Sequence, residues 1–371
     1  MRSEVRTAII FGGVVAAGLG AAGVMFASLD SPQPVPALTD NVSDLLGVDK
    51  SGFKKAPDIV GIAHYINAAP EELRSKIGSS VVLYDIWTYS CINCIRTLPY
   101  ITAWDEKYAD QGLLIVGIHS PEFEFEKDVR NVQMAVAKHD IRYPVVMDND
   151  RETWNAFENR YWPRKFMADH EGFIRYDRIG EGGYRETERV IQRLLAERAA
   201  SLGVQVASAA PLVDIEEFQH TAFRTPELYF GYYFAQNRNS LGSSEGFRPG
   251  QTVTYAEPTT LNQDRFYMVG TWNNGRDAMA LAGDEGSIML RYNAKEVNIV
   301  TAGSGTIQVL IDGHQIDPSV AGRDVDPGTG MLAADEPRLY NVVNAESSST
   351  HDMEMRVENH GGFEIFTFTF G

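Results

Sequence analysis

The apolar run Val81-Val82-Leu83-Tyr84-Asp85-Ile86-Trp87 leads through Thr88-Tyr89-Ser90 to Cys91-Ile92-Asn93-Cys94, and a helix-forming stretch follows. A buried strand running straight into a helix points to an α/β layer in this part of the chain. It also puts the first thiol at a helix N-terminus. There the helix dipole and unpaired backbone N–H groups stabilise a thiolate.

Cys91 and Cys94 are the only cysteines in 371 residues. A pair spaced like this can be a redox dithiol, half of a metal site or a structural disulfide. Zinc sites usually take four protein ligands. The eight histidines contain no HxxxH-type pair that could complete one. A structural disulfide closing so short a loop stabilises little, because loop-closure entropy grows with loop length. The strand–CxxC–helix context favours the redox dithiol, with no metal and no cofactor beyond a redox-active Cys91–Cys94 disulfide.

The segment Tyr84 to Pro99 resembles the active-site stretch of thioredoxin-fold proteins. Asp85 matches their buried carboxylate, Trp87 their tryptophan and Pro99 the proline that kinks the active-site helix. Tyr161-Trp162-Pro163, ahead of Lys165-Phe166-Met167-Ala168, stands where the family places a cis-proline opposite the dithiol. The resemblance is closest to TlpA-like and DipZ-like thiol-disulfide oxidoreductases, in which a segment like Gly117–Phe123 also follows a WTYSCINC-type stretch. It covers roughly residues 55–200 closely. The remainder is similar to the C-terminal β-sandwich extension of DipZ-like proteins. Ser90 stands where thioredoxins often carry tryptophan, so a wider substrate groove is expected.

The resemblance and the residues together imply the following roles. Cys91 is the attacking thiolate, and Cys94, one turn in and more buried, resolves the mixed disulfide. Asp85, with a carboxyl pKa raised by burial, takes the proton from Cys94. The competing role for Asp85 is a strand-end residue bonding to backbone. A cis bond at Pro163 leaves the Trp162 backbone free to bond an extended substrate peptide; the alternative is an ordinary trans turn proline. Trp87 and His119 complete the substrate-binding set. His119 shares the sheet edge with Cys91, to tune the thiolate or touch substrate, against a plain loop histidine. Ile92-Asn93 matches neither the Gly-Pro of reductases nor the Pro-His of strong oxidants.

Thr7 to Leu29 is 23 residues without a charge. As a helix it spans roughly 35 Å, about a bilayer core. Arg2 and Arg6 precede it and Asp30, Asp40 and Asp44 follow it. The positive-inside rule then keeps the N-terminus cytoplasmic and exports residues 30–371. A cleaved signal peptide cut near Ala27 is the competing reading, but signal cores usually span about 7–15 residues. The expectation is a single-pass anchor at 1–29.

The organisation expected is a 1–29 anchor, a Pro-rich 30–57 tether, a 58–200 thioredoxin-like domain, a 201–224 linker and a 225–371 β domain. In the first domain, strands are read at Val81–Trp87, Gly112–Gly117 and Tyr143–Met147. A hairpin follows from Phe166–Ala168 and Phe173–Arg178. Helices are read at Cys94–Tyr108, Phe125–Lys138, Thr153–Phe157 and Tyr184–Ala200. Beyond 224, short alternating runs with Gly, Asn and Asp turns predict an all-β sandwich, jelly-roll-like. The fold class is thus α/β thioredoxin-like plus all-β, after one transmembrane helix.

Net charge is −17, and from Leu212 to Gly371 there are 22 acidic against 10 basic residues. This excludes nucleic acid as a natural partner. Expected partners are protein thiols and disulfides, a membrane-bound or soluble electron donor, and the membrane through the N-terminal helix. A cell-surface glycan is a candidate ligand for the aromatic cluster Glu227–Phe234, though core packing is its commoner fate. Two rival functions stand beside the oxidoreductase: a glycan- or protein-binding module with an accessory redox domain, and a metallochaperone using the dithiol. His351, Met353 and Met355 share one strand face, a pattern copper sites use but buried methionines use far more often.

Overall fold

The computed structural model describes residues 48–204, 211–220, 224–235, 238 and 240–371. The expected anchor and residues 30–47 of the tether lie outside them. Among the described residues no helix is long and apolar enough to cross a membrane.

The first domain runs β1 (His64–Ile66), α1 (Pro70–Ile77), β2 (Val81–Trp87), α2 (Ile92–Tyr108), β3 (Leu113–His119), α3 (Val129–Lys138) and β4 (Val145–Met147). It continues with α4 (Glu152–Ala156), β5 (Arg164–Ala168), β6 (Ile174–Ile179) and α5 (Tyr184–Ser201). The sheet order is β1-β4-β3-β2-β5-β6. Strands β2, β3 and β4 are parallel, and β5 returns antiparallel to β2. Every residue of β2 and β3 is buried. Parallel strands covered on both faces read as unbroken apolar runs, which is why these two were legible. Trp87, His119 and Met147 are level at their C-terminal ends. The loops after all three strands therefore leave the sheet at one edge.

Three details depart from the sequence reading. The helix expected from Phe125 splits into a 3-10 turn at Glu124–Lys127 and α3. Asp128 caps α3 by accepting from the Arg130 N–H, so a new helix starts there. Strand β1 and helix α1 had not been assigned. Residues 50–56, read as tether, pack on the β5–β6 hairpin. Lys50 Nζ lies 3.0 Å from Asp169 and 2.8 Å from Glu197, and Arg175 bonds both carboxylates.

The second domain comprises β7 (Leu228–Tyr229), α6 (Tyr232–Ala235), β8 (Thr252–Tyr255), β9 (Arg265–Asn274), β10 (Met279–Ile311), β11 (His314–Gln315), β12 (Met331–Ala334) and β13 (Arg338–Phe370). Its strands pair antiparallel with one another. Runs that the alternation marks as separate short strands, Ser287–Tyr292, Val297–Thr301, Thr306–Ile311, Arg338–Val343, Asp352–Val357 and Phe363–Phe370, are segments of just two 33-residue strands, β10 and β13. Met355 pairs with both Ile288 and Val309, and Ile299 with both Tyr340 and Phe368. Each long strand therefore bends and passes its partner twice. The register shifts where β10 passes Gly303, whose φ is +77°. A Cβ there would meet the Gly362 carbonyl at 2.0 Å, so only glycine fits. One apolar core gathers Ile288, Val309, Met355, Ile299, Tyr340 and Phe368 between these passes.

Candidate active site

Cys91 is the N-cap of α2. Its Sγ accepts the Cys94 backbone N–H at 3.3 Å. Cys91 is half-buried, Cys94 only 1% exposed, and both are free thiols. Burial, and then the adjacent Cys91, push the Cys94 thiol well above the ordinary range. The outer sulfur can be reached and the inner one needs a base to ionise. Among the described residues no group of three or more His, Cys, Asp or Glu could hold a metal ion.

Asp85 lies on β2 behind the pair, 1% exposed, with Oδ1 bonded to no protein group. Burial pushes its carboxyl up to about 6, and Lys165 partly opposes this. Of its two register neighbours, Gly117 on β3 has no side chain and Lys165 on β5 does. Lys165 is fully enclosed and donates from Nζ to the Gly180 carbonyl at 2.9 Å. Burial lowers its pKa, while Asp85 and Cys94 hold it up. The sequence reading missed this lysine. In an alternating strand a lysine reads as the solvent face, and only distant neighbours such as Cys94, Gly180 and the Tyr184 ring enclose it.

The Trp162–Pro163 peptide bond is cis. Ile86 pairs with Arg164, so Pro163 stands beside Trp87 at the dithiol edge. Pro163 is buried and Trp162 half-buried. The Trp162 indole donates to the Ser120 carbonyl at 2.9 Å and packs at a tilt against Trp154, ring centroids 4.3 Å apart. Trp87 and His119, expected among the substrate contacts, are both 0% exposed and offer substrate no surface. The reason is that β2 and β3 are covered on both faces. His119 sits between the Trp87 and Tyr89 rings, and burial lowers its pKa to about 3, so it is neutral.

A second buried acid, Glu126, was also missed. Its Oε1 accepts from Thr88 (2.5 Å) and Ser90 (2.6 Å), and its Oε2 from the Glu122 (2.6 Å) and Phe123 (2.9 Å) N–H groups. Four donors replace lost hydration and tie the loop before Cys91 to the loop after His119. Thr88 gives its one hydroxyl proton to Glu126, so His119, 3.3 Å away, must present N–H at Nε2. The wider groove expected from Ser90 is corrected here: Ser90 is 2% exposed and its hydroxyl is committed to Glu126.

The flank of the dithiol is closed by the second domain. Ile92 and Phe123 cluster with Tyr229, Val300, Leu339 and Phe366. The Phe366 ring lies 5.0 Å from Phe123 and 4.7 Å from Phe125. Tyr89 donates to the Pro337 carbonyl at 3.0 Å, and Arg96 pairs with Glu296. The aromatic cluster at 227–234 is used in packing: Tyr229 and Phe234 join this contact, and Leu228 and Phe230 lie in the β core. Met353 and Met355 are likewise enclosed in the β core.

Both domains resemble known families. Residues 54–177 match the AhpC/TSA family, and residues 225–371 match the family described as thioredoxin like C-terminal domain. Protein DipZ of Mycobacterium bovis is 33% identical over 319 residues, covering 85% of this chain and 43% of DipZ. The chain thus spans less than half the length of that relative. The thiol-disulfide oxidoreductase YkuV of Bacillus subtilis is 32% identical over 142 residues, 38% of this chain and 94% of YkuV. A solved thioredoxin-like protein in the oxidised form is 31% identical over 39% of this chain and 97% of its own, with a TM-score of 0.36. With a dithiol on the first turn of α2, a buried carboxylate behind it and this relation to YkuV, the chain belongs to the thioredoxin-like thiol-disulfide oxidoreductases.

Proposed function

We propose that this chain is a membrane-anchored, extracytoplasmic oxidoreductase that exchanges disulfides with protein substrates through Cys91 and Cys94. The observation that carries the reading is the unequal exposure of the two sulfurs at the start of α2. The Cys91 thiolate attacks a substrate disulfide. One S–S bond breaks, a mixed disulfide forms, and the departing substrate thiolate takes a proton. Cys94 then gives its proton to the Asp85 carboxylate and attacks the Cys91 sulfur. The second substrate thiol leaves, and Cys91–Cys94 becomes the disulfide. The substrate gains two electrons and the dithiol loses two; run backwards, the same steps oxidise a substrate.

Lys165 is a positioning residue in this scheme. Its enclosed ammonium offsets negative charge on Asp85 before proton transfer and on Cys94 after it. Trp162 and Pro163 flank the path of the substrate chain, while Trp87 and His119 support the dithiol from behind. Residues 58–200 and 225–371 act as redox and accessory domains joined by 201–224, the latter read as a jelly-roll-like sandwich. The anchor and export rest on the uncharged Thr7–Leu29 stretch and its flanking charges.

Two measurements test the proposal. Insulin-disulfide reduction should proceed with the wild-type chain and a thiol donor, and an inert chain would sink the enzymatic reading. Protease added to intact cells should release a soluble fragment cut between residue 30 and Lys50, where the chain joins the first domain, and full protection would overturn the orientation.

A further inference from the structure

We infer that the groove between α3 and the 323–339 region of the β domain receives an acidic, extended segment of the disulfide-bearing protein. This rests on the reading that Cys91 attacks protein disulfides. The groove has a volume of about 620 Å³ and begins on the active-site helix. Its near wall is Ile95, one turn beyond Cys91 and so on the same helix face, with Tyr89 beside it. Leu339 and Met134 extend the apolar floor, and Met134 is 48% exposed at the rim. An adaptable thioether left in water suits a surface that meets varied peptides. On the Ile92 side the β domain already covers the dithiol. A substrate chain passing Cys91 toward the β domain therefore has this groove as its channel.

The far end of the groove is positive in a chain that is strongly negative. Lys138, Arg323 and Arg338 line it against two carboxylates, Asp324 and Glu336. Arg338 bonds both, at 2.9 and 3.2 Å, and Arg323 approaches Asp324 at 3.8 Å. Lys138 forms no ion pair within 4.0 Å among the described residues. Two of the ten basic residues after Leu212 stand here, in a chain of net charge −17. The cations crowd one another. Burial first and then Arg338 and Arg323 lower the Lys138 pKa, with Asp324 and Glu336 opposing them only in part, and burial with Lys138 and Arg323 lowers His139 to about 4. A carboxylate placed in the groove relieves that repulsion, whereas most of the remaining surface repels it.

The test uses the full chain and four disulfides: two matched peptides flanked by Asp or by Lys, glutathione disulfide, and neutral bis(2-hydroxyethyl) disulfide. Each kcat/KM is divided by the value on the neutral compound. Wild type should favour the Asp peptide by about tenfold at low salt, and the preference should shrink as salt rises. Lys138→Glu/Arg323→Glu should reverse the ratio, and the milder Lys138→Gln should lower it by a smaller factor. Equal wild-type rates on the two peptides, or an unchanged ratio in both variants, overturn the proposal. A preference for glutathione disulfide equal to that for the Asp peptide assigns the groove to small acidic disulfides and also overturns it. A wild-type chain inert toward all four overturns the oxidoreductase reading itself.

Discussion

The two domains treat buried polarity in opposite ways. In the first, Asp85, His119, Glu126, Asp148, Lys165, Asp169, Glu188 and Glu197 are all enclosed. In the described part of the second, the enclosed polar side chains are neutral: Thr225, Ser240, Asn274, Asn298, Thr301, Asn341, Thr367 and Thr369, besides tyrosine hydroxyls. Enclosing a charged group costs several kcal/mol unless it is paired or hydrogen-bonded. A network satisfies such a group at Glu126, whereas Asp85 keeps an unpartnered oxygen, as the proposed proton transfer from Cys94 requires. The difference is what the proposed division, with chemistry in the first domain and packing in the second, requires. The second then acts on the chemistry by where it sits, against Ile92.

The sharpest break of that division is at the thiols. Cys91→Ser should abolish turnover, while Cys94→Ser should accumulate mixed disulfides, visible by non-reducing gel and mass spectrometry. Faster alkylation of Cys94 than of Cys91 in the reduced protein would reverse the assignment.

Next comes Asp85→Asn, which should slow resolution of the mixed disulfide at pH 7 by about 10²–10⁴. Wild-type resolution should rise through pH of about 6 as Asp85 ionises. The stability effect has the opposite sign. The folded carboxyl binds its proton more tightly than the unfolded one, so native stability falls as pH climbs from the ordinary carboxylate range past about 6. Asn should therefore stabilise the fold by about 3 kcal/mol at pH 7 and by nothing below pH of about 4. Urea titrations at the two pH values decide it, and a destabilised variant at pH 7 would refute the buried-charge account.

Phe366→Ala tests the reach of the β domain. Losing a buried Phe costs about 3–5 kcal/mol, and this one covers Phe123 and Phe125 beside the dithiol. Alkylation of Cys91 should quicken several-fold. Ile299→Ala, in the β core away from Ile92, should lose comparable stability with no change at Cys91. Equal alkylation in both variants would mean that the β domain does not shield the dithiol.

The smallest effect is expected at Lys165→Met, which removes an enclosed cation next to Asp85. The limb of resolution seen near pH 6 should move upward by about one unit, because the carboxylate loses its nearest compensating charge. An unmoved limb would reduce Lys165 to a structural bond with Gly180.

Much of the first domain could be read from the chain because its information is local. Strands β2 and β3 are apolar runs, α2 starts at its own capping cysteine, and the β5–β6 turn carries its glycine. The β domain was legible as β but not as two long bent strands. Its Gly, Asn and Asp residues read as turns, yet at Gly303 and Gly361–Gly362 the chain bends and keeps pairing. Ser90 misled for a related reason. A small polar residue suggests open space, but a glutamate 36 positions away fills its hydrogen-bonding capacity.

Residue order alone, then, was enough to place two thiols at a helix start, a carboxylate six residues before the first of them and a proline just ahead of β5. Those features depend on neighbours along the chain, where spacing is set by helix and strand periodicity. Which ionisable groups are enclosed was decided by contacts between distant segments. Lys165 faces Asp85 because β5 returns antiparallel beside β2. Glu126 reaches Ser90 because the loops after β2 and β3 leave the sheet at the same edge. Ile92 is covered because the β domain folds back onto α2. Burial is a property of what lies opposite, and only the folded chain brings those surfaces together.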